Sequence, residues 1–125
     1  MKTLFIALTY LILGITSDLN EDISNAIKSG NSKAIAAYFA DNVDLKILTQ
    51  EDVYSKSQAE LIIKDFFSKH PVKSFKIVHS SSKNDSQFAI GSLETSTGKF
   101  RVYFLLKKSA AKQLIQQFRI ETENE

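Results

Sequence analysis

The sequence predicts an α+β domain: three N-terminal helices and a short hairpin packed on a curved four-stranded antiparallel meander. Three observations predict it. Apolar residues recur at helical period through the first half of the chain. They alternate, between turn signals, through the second half. The 125 residues suffice for one domain and not for two.

Residues 1–17 read as a secretory signal peptide. Lys2 is its positive start, Leu4 to Ile15 a nearly unbroken apolar run, and Gly14, Thr16 and Ser17 the small residues a peptidase needs. The run is shorter than the ~20 residues that cross a bilayer, so no stable membrane span is expected. The competing reading is a buried N-terminal helix or strand. An exported protein, periplasmic or extracellular and soluble after cleavage, follows from the first. The chain has no cysteine, which excludes disulfides, thiolate metal sites and a cysteine nucleophile.

Residues 18–125 contain no linker, repeat or low-complexity tract and form a single domain. Asp18 caps the first helix, with Glu21 at capping-box spacing and Leu19, Ile23, Ala26 and Ile27 on one face. Gly30 stops it and Asn31 caps a second, carrying Ala34, Ile35, Tyr38 and Phe39 and ended by Asp41-Asn42. Val43, Leu45 and Ile47 alternate, and a polar turn from Thr49 to Asp52 folds them against Val53 to Ser55. Ser57 opens the third helix, with Glu60 in its capping box and Ala59, Ile62, Ile63, Phe66 and Phe67 as its stripe; His70-Pro71 closes it. Four strands follow at 75–82, 87–95, 99–107 and 113–121. They turn at Asn84-Asp85, Thr97-Gly98 and Ser109-Ala110-Ala111.

Turn lengths set register, and register sets faces. Phe100, Val102, Phe104 and Leu106 share one face with Ala89, Gly91 and Leu93, and with Leu114, Gln116, Phe118 and Ile120. The helices must cover this apolar face, and Gly91 leaves space on it for a large side chain or a ligand. The other face holds Ser92, Glu94, Arg101, Gln117 and Arg119, with Glu94 opposite Arg101. Ile90, Tyr103, Leu105 and Ile115 form an apolar patch there, either an interface or scattered surface residues. A two-residue turn puts Phe75, Ile77 and His79 on this second face; a bulge would turn them inward.

The order of these elements resembles the nuclear-transport-factor-2-like fold, a cystatin-like cone in which a bent sheet wraps a long helix. The details resemble an uncharacterised family of small exported bacterial proteins with that fold. The segments that carry the resemblance are Tyr38-Phe39, Val53-Tyr54-Ser55-Lys56, Asp65 to Lys69, Arg101-Val102-Tyr103-Phe104 and Leu114-Ile115-Gln116, spread over residues 18–121. That family has no assigned activity, so the resemblance implies a fold and no chemistry. Broader relatives include isomerases, dehydratases and hydrolases, which implies a pocket inside the cone with an Asp–His or similar pair. This sequence departs from that pattern. The expected ligand pocket is walled by Phe67, Gly91, Phe104, Gln116 and Phe118 with Tyr38 and Tyr54 at its mouth, and it brings no carboxylate.

These residues favour a non-enzymatic module. It would bind a small apolar ligand in the cone or pair as a homodimer through Ile90, Tyr103, Leu105 and Ile115. The first alternative is a small isomerase- or hydrolase-type enzyme using His79, which can titrate near neutrality. The second is a protein-binding inhibitor or chaperone working through the hairpin near Gln50. His70 reads as a favourable charge at a helix end. Asp41 with Asp44, and Glu51 with Asp52, lack the ligand number of a calcium loop, so no metal is expected. Lys107, Lys108 and Lys112 keep a turn soluble. Asn84-Asp85-Ser86 matches a glycosylation pattern but is a turn sequence in any case. A formal net charge of +2, or +1 once Lys2 is removed, is no footprint for nucleic acid. No cofactor motif occurs.

Overall fold

The computed structural model describes residues 19–123. The signal-peptide reading and the Asp18 cap fall outside them. The described chain runs α1 (Leu19–Ser29), α2 (Ser32–Ala36), β1 (Phe39–Ile47), β2 (Gln50–Ser55), α3 (Lys56–Lys69), β3 (Val72–Lys83), β4 (Ser86–Thr95), β5 (Gly98–Ser109) and β6 (Lys112–Thr122).

One sheet contains all six strands, in the order β2-β1-β6-β5-β4-β3. This corrects the expected four-stranded antiparallel meander. The hairpin of β1 and β2 is not a separate element: β1 lies parallel to β6, with Leu45 beside Phe118 and Ile47 beside Ile120, so the sheet is mixed. Four bonded strands would have left β6 as an exposed edge with unpaired backbone groups. Here Ile115 N–H donates to Tyr38 O at 2.7 Å and Leu48 N–H to Ile120 O at 2.8 Å, tying β1 along it.

The helices begin and end for local reasons. Gly30 takes φ 65° and its N–H donates to Ile27 O at 2.9 Å, a left-handed stop that glycine adopts without penalty. Asn31 Oδ1 accepts from Lys33 N at 3.0 Å and Ala34 N at 3.1 Å. The second helix ends at Ala36, short of the expected Tyr38 and Phe39, and Phe39 opens β1 instead. The cap of α3 is Ser55, not Ser57. Ser55 Oγ accepts from Gln58 N at 3.2 Å and Gln58 Oε1 accepts from Ser55 N at 3.3 Å, a complete capping box two residues earlier.

The three helices cover one face of the sheet, α1 against β3 and α3 against β1 and β2. Between the layers lies one core that includes Ile23, Ile35, Phe39, Ile63, Phe104, Phe118 and Ile120. Phe39 meets Phe118 edge-on at 5.6 Å, and Phe66 meets Phe67 and Phe100 at 5.3 and 5.2 Å.

Two bulges decide which residues reach that core. In β3 the register slips at Val78: His79 opposes Ile90, but Ile77 opposes Gly91 and Phe75 opposes Leu93. Phe75 therefore turns inward and is buried at 2% exposure, whereas the turn length alone had put it outside. In β6 the register slips at Gln116: Gln117 opposes Leu105, but Ile115 opposes Leu106. Ile115 faces the core at 0% exposure, not the outer patch, because the two-residue turn sets it opposite Leu106; the slip beyond it returns Phe118 and Ile120 to the same side. The turns differ too. Ser96-Thr97 and Ala110-Ala111 make two-residue connections, so Arg101 stands opposite Ser92 and Glu121 rather than Glu94.

Candidate functional site

Three rows of side chains cross the sheet face that the helices leave uncovered. One row runs Phe88, Leu105, Gln117, Asp44, Val53. The next runs His79, Ile90, Tyr103, Arg119, Lys46, Glu51. The third runs Ser92, Arg101, Glu121. The β3–β5 half of this face is mainly apolar and aromatic; the β6–β1–β2 half is mainly charged.

The charged half is an ion network. Lys46 Nζ donates to Glu121 Oε2 at 3.0 Å, and Arg101 Nη2 lies 3.7 Å from Glu121 Oε1. The Lys46 hydrogen bond, helped by the charges of Lys46, Arg101 and Arg119, holds the Glu121 carboxyl below its ordinary pKa against the opposing effect of burial. Arg119 is held less firmly. Its Nη2 lies 3.4 Å from Glu51 and 3.9 Å from Asp44, and its Nε, shielded from solvent, has no acceptor. A buried donor without a partner costs about 1–3 kcal/mol.

Where the two halves meet, Ile90, Arg101, Tyr103, Gln117, Arg119 and Glu121 line a groove of about 360 Å³. Small-molecule sites start at roughly 300 Å³. A second hollow of about 260 Å³, with Phe88 and Leu105 in its wall, continues the apolar half toward the β3–β4 turn. A larger space of about 430 Å³ separates α1 from β3, but most of its lining is polar surface such as Glu21, Asn25 and Lys28.

The residues expected to wall a pocket inside the cone lie elsewhere than in these hollows. Phe67, Phe104 and Phe118 are core residues. The space at Gly91 is taken: a β-carbon there would stand 2.3 Å from Phe75 Cζ. Tyr38 and Tyr54 are half-buried at the core margin, and Tyr54 Oη accepts from Gln50 Nε2 at 3.0 Å. Gln116 is the extra residue of the β6 bulge. Of the expected outer patch, Ile90, Tyr103 and Leu105 do share the uncovered face, half-buried; Ile115 does not.

His79 is exposed on β3, with Ile90 opposite and the Phe88 ring at 5.7 Å. His70 caps α3 and is bound into the frame: its Nδ1 lies 2.6 Å from Thr97 Oγ1 and its ring 4.4 Å from Phe66. Phe88, Lys46 and Glu121 were missed as site residues. Phe88 lies 5.9 Å from Tyr103 and follows from the same alternation as Ile90. Lys46 and Glu121 meet only through the parallel β1–β6 pairing, for which no turn gives a signal.

Comparison with known proteins agrees with this architecture. A family model described as "Domain of unknown function (DUF4783)" matches residues 20–121. A DUF4783 family protein from Bacteroides uniformis is 37% identical with TM-score 0.81, covering 86% of this chain and 100% of that one. One from Bacteroides ovatus is 35% identical with TM-score 0.79, covering 83% and 94%. A protein from Xanthomonas campestris described as a putative calcium/calmodulin dependent protein kinase II association domain is 21% identical with TM-score 0.61, covering 86% and 84%, a likeness of fold alone. Designed proteins of the nuclear-transport-factor-2-like fold also superpose, one at 16% identity and TM-score 0.64. No curated protein matches.

Proposed function

This chain belongs to the DUF4783 family, and from that premise we propose that it is a non-catalytic binding module working through the uncovered face of its sheet. The observation that carries this reading is the sidedness of the sheet. On the helix side, the opening at Gly91 is filled by Phe75; on the other, a groove with an apolar floor and convergent polar groups stays open. The enzyme alternative required His79 in a cavity beside a carboxylate or tyrosine, and the ring instead stands on the outer surface beside Phe88.

A fragment screen followed by amide NMR tests the reading. Shifts should cluster at Ile90, Tyr103, Gln117 and Arg119. Shifts at Tyr38, Phe67 and Phe118 would return the site to the cone interior.

Pairing with a second copy is the other reading that a specific observation favours. Phe88, Ile90, Tyr103 and Leu105 form one contiguous half-buried apolar band on this face, the kind of surface that marks interfaces. Sedimentation of the protein at high micromolar concentration should then show a dimer that Leu105→Arg dissociates. A monomer unaffected by Leu105→Arg removes this reading and leaves the groove.

Export belongs to the same proposal and rests on Lys2, the apolar run from Leu4 to Ile15, and the small residues after it. N-terminal sequencing of protein recovered from its own host should begin close to Asp18. A start at Met1 or Lys2 overturns it.

A further inference from the structure

We propose that the groove at the seam of the uncovered face takes a small monocarboxylate with a planar apolar body. The inference rests on the groove being the binding site and names the ligand class for it.

Four observations carry it. The floor pairs Ile90 with the ring of Tyr103, a surface on which a flat apolar group can lie. Arg119 stands at the polar wall and is under-used. A guanidinium has five N–H donors in a planar fork; this one makes two long ion contacts, at 3.4 and 3.9 Å, and leaves Nε without an acceptor. A modest rotation would bring its Nε–Nη edge onto a carboxylate in the bidentate geometry that arginine favours, and would satisfy Nε in the same step. Glu121 does not compete for that edge, because Lys46 holds it at 3.0 Å. Finally, the lining itself holds Arg101 and Arg119 against Glu121, and with Lys46, Asp44 and Glu51 beside them the network balances at three cations and three anions, which suits a monoanion better than a phosphate dianion. Gln117 adds a neutral side chain able to donate or accept.

Sodium benzoate, its uncharged isostere benzamide, and inorganic phosphate test this by amide NMR titration of the purified chain. Benzoate should shift Ile90, Tyr103, Gln117 and Arg119 and bind at least tenfold more tightly than benzamide, with phosphate weaker than benzoate. Arg119→Gln should erase the preference for benzoate over benzamide. Gln117→Glu, at a half-buried position of the groove, should repel benzoate and spare benzamide, its native amide spectrum confirming the fold. Benzamide binding as tightly as benzoate, or a preference that survives Arg119→Gln, overturns the carboxylate inference while the groove remains the site. Phosphate equal to benzoate overturns the monoanion match. Shifts confined to the cone interior overturn the groove itself, and the inference with it.

Discussion

Gly91 and Phe75 show how one residue can close a site. The Phe75 ring occupies the volume that a side chain at Gly91 would need, with Cζ 2.3 Å and Cε1 2.4 Å from the position of an added β-carbon. Gly91→Ala must therefore push the ring or bend β4, and overpacking of this kind costs about 1–3 kcal/mol. Phe75→Ala leaves a cavity and should cost about 3–5 kcal/mol. The two sites touch, so Gly91→Ala combined with Phe75→Leu should lose less than the sum of the single changes. Urea unfolding of the four proteins checks this. Glu121 is a second case, with its pKa lowered chiefly by the Lys46 hydrogen bond. A carboxyl whose pKa falls on folding stabilises the fold above its unfolded value, near pH 4.3. That contribution is lost as pH drops through the lower folded value. Glu121→Gln should accordingly be less stable at neutral pH and show a shallower loss of stability on acidification. Equal slopes for the two proteins on acidification would assign the acid limb to other carboxyls.

Elements were legible wherever a local signal set them. Of the helical stripe Ala59, Ile62, Ile63, Phe66 and Phe67, all but the half-buried Ile62 are buried as the period required, and the alternation in β4 and β5 put Ala89, Leu93, Phe100, Val102 and Phe104 inside. Those faces survived even though two turns were placed slightly wrong. Shifting a turn moved the β4–β5 register by two residues, which preserves the side on which each side chain points. A bulge shifts it by one and reverses everything beyond. That is why Phe75 changed sides at Val78. Ile115 changed sides because its turn is one residue shorter than expected, and the slip at Gln116 then kept Phe118 and Ile120 inside. Neither Val78 nor Gln116 is a glycine or proline that would announce a bulge. The site suffered in the same way: its apolar floor was readable, but Lys46 meets Glu121 through a parallel pairing that no hairpin turn encodes. Capping gives a direct check at this scale. Ser55→Ala removes the acceptor for Gln58 N and half of a reciprocal pair, and should cost about 1 kcal/mol. Ser57→Ala, two residues on and exposed, should stay within about 0.5 kcal/mol. The reverse order in thermal denaturation would place the cap where the sequence pattern alone had put it.

At the scale of the molecule, the fold makes two unequal surfaces from one sheet. Mixed pairing lets the chain append β1 and β2 beyond β6, so among the described residues six strands rather than four meet three helices, and apolar side chains seal the covered face. Among the described residues, sealing one face leaves the other as the broad sheet surface available for contact, and there apolar and charged halves abut along a groove. Leu105 and Ile115 measure this difference directly, because they lie close together on β5 and β6 yet face opposite sides. Arginine at 115 would place an unpaired charge at a position of 0% exposure, among Phe39 and Leu106. Buried charges without partners belong to the rare class of changes that cost more than about 4 kcal/mol, so Ile115→Arg should fail to fold or lose most of its thermal transition. Leu105→Arg adds a charge to a half-buried outer position beside Gln117, where the long arginine stem can lie along apolar surface with its head in water. It should keep a cooperative transition and a native amide spectrum. Equal damage from both would mean that the uncovered face is itself packed against something in the purified protein, and sedimentation of the parent chain would show whether that is a second copy.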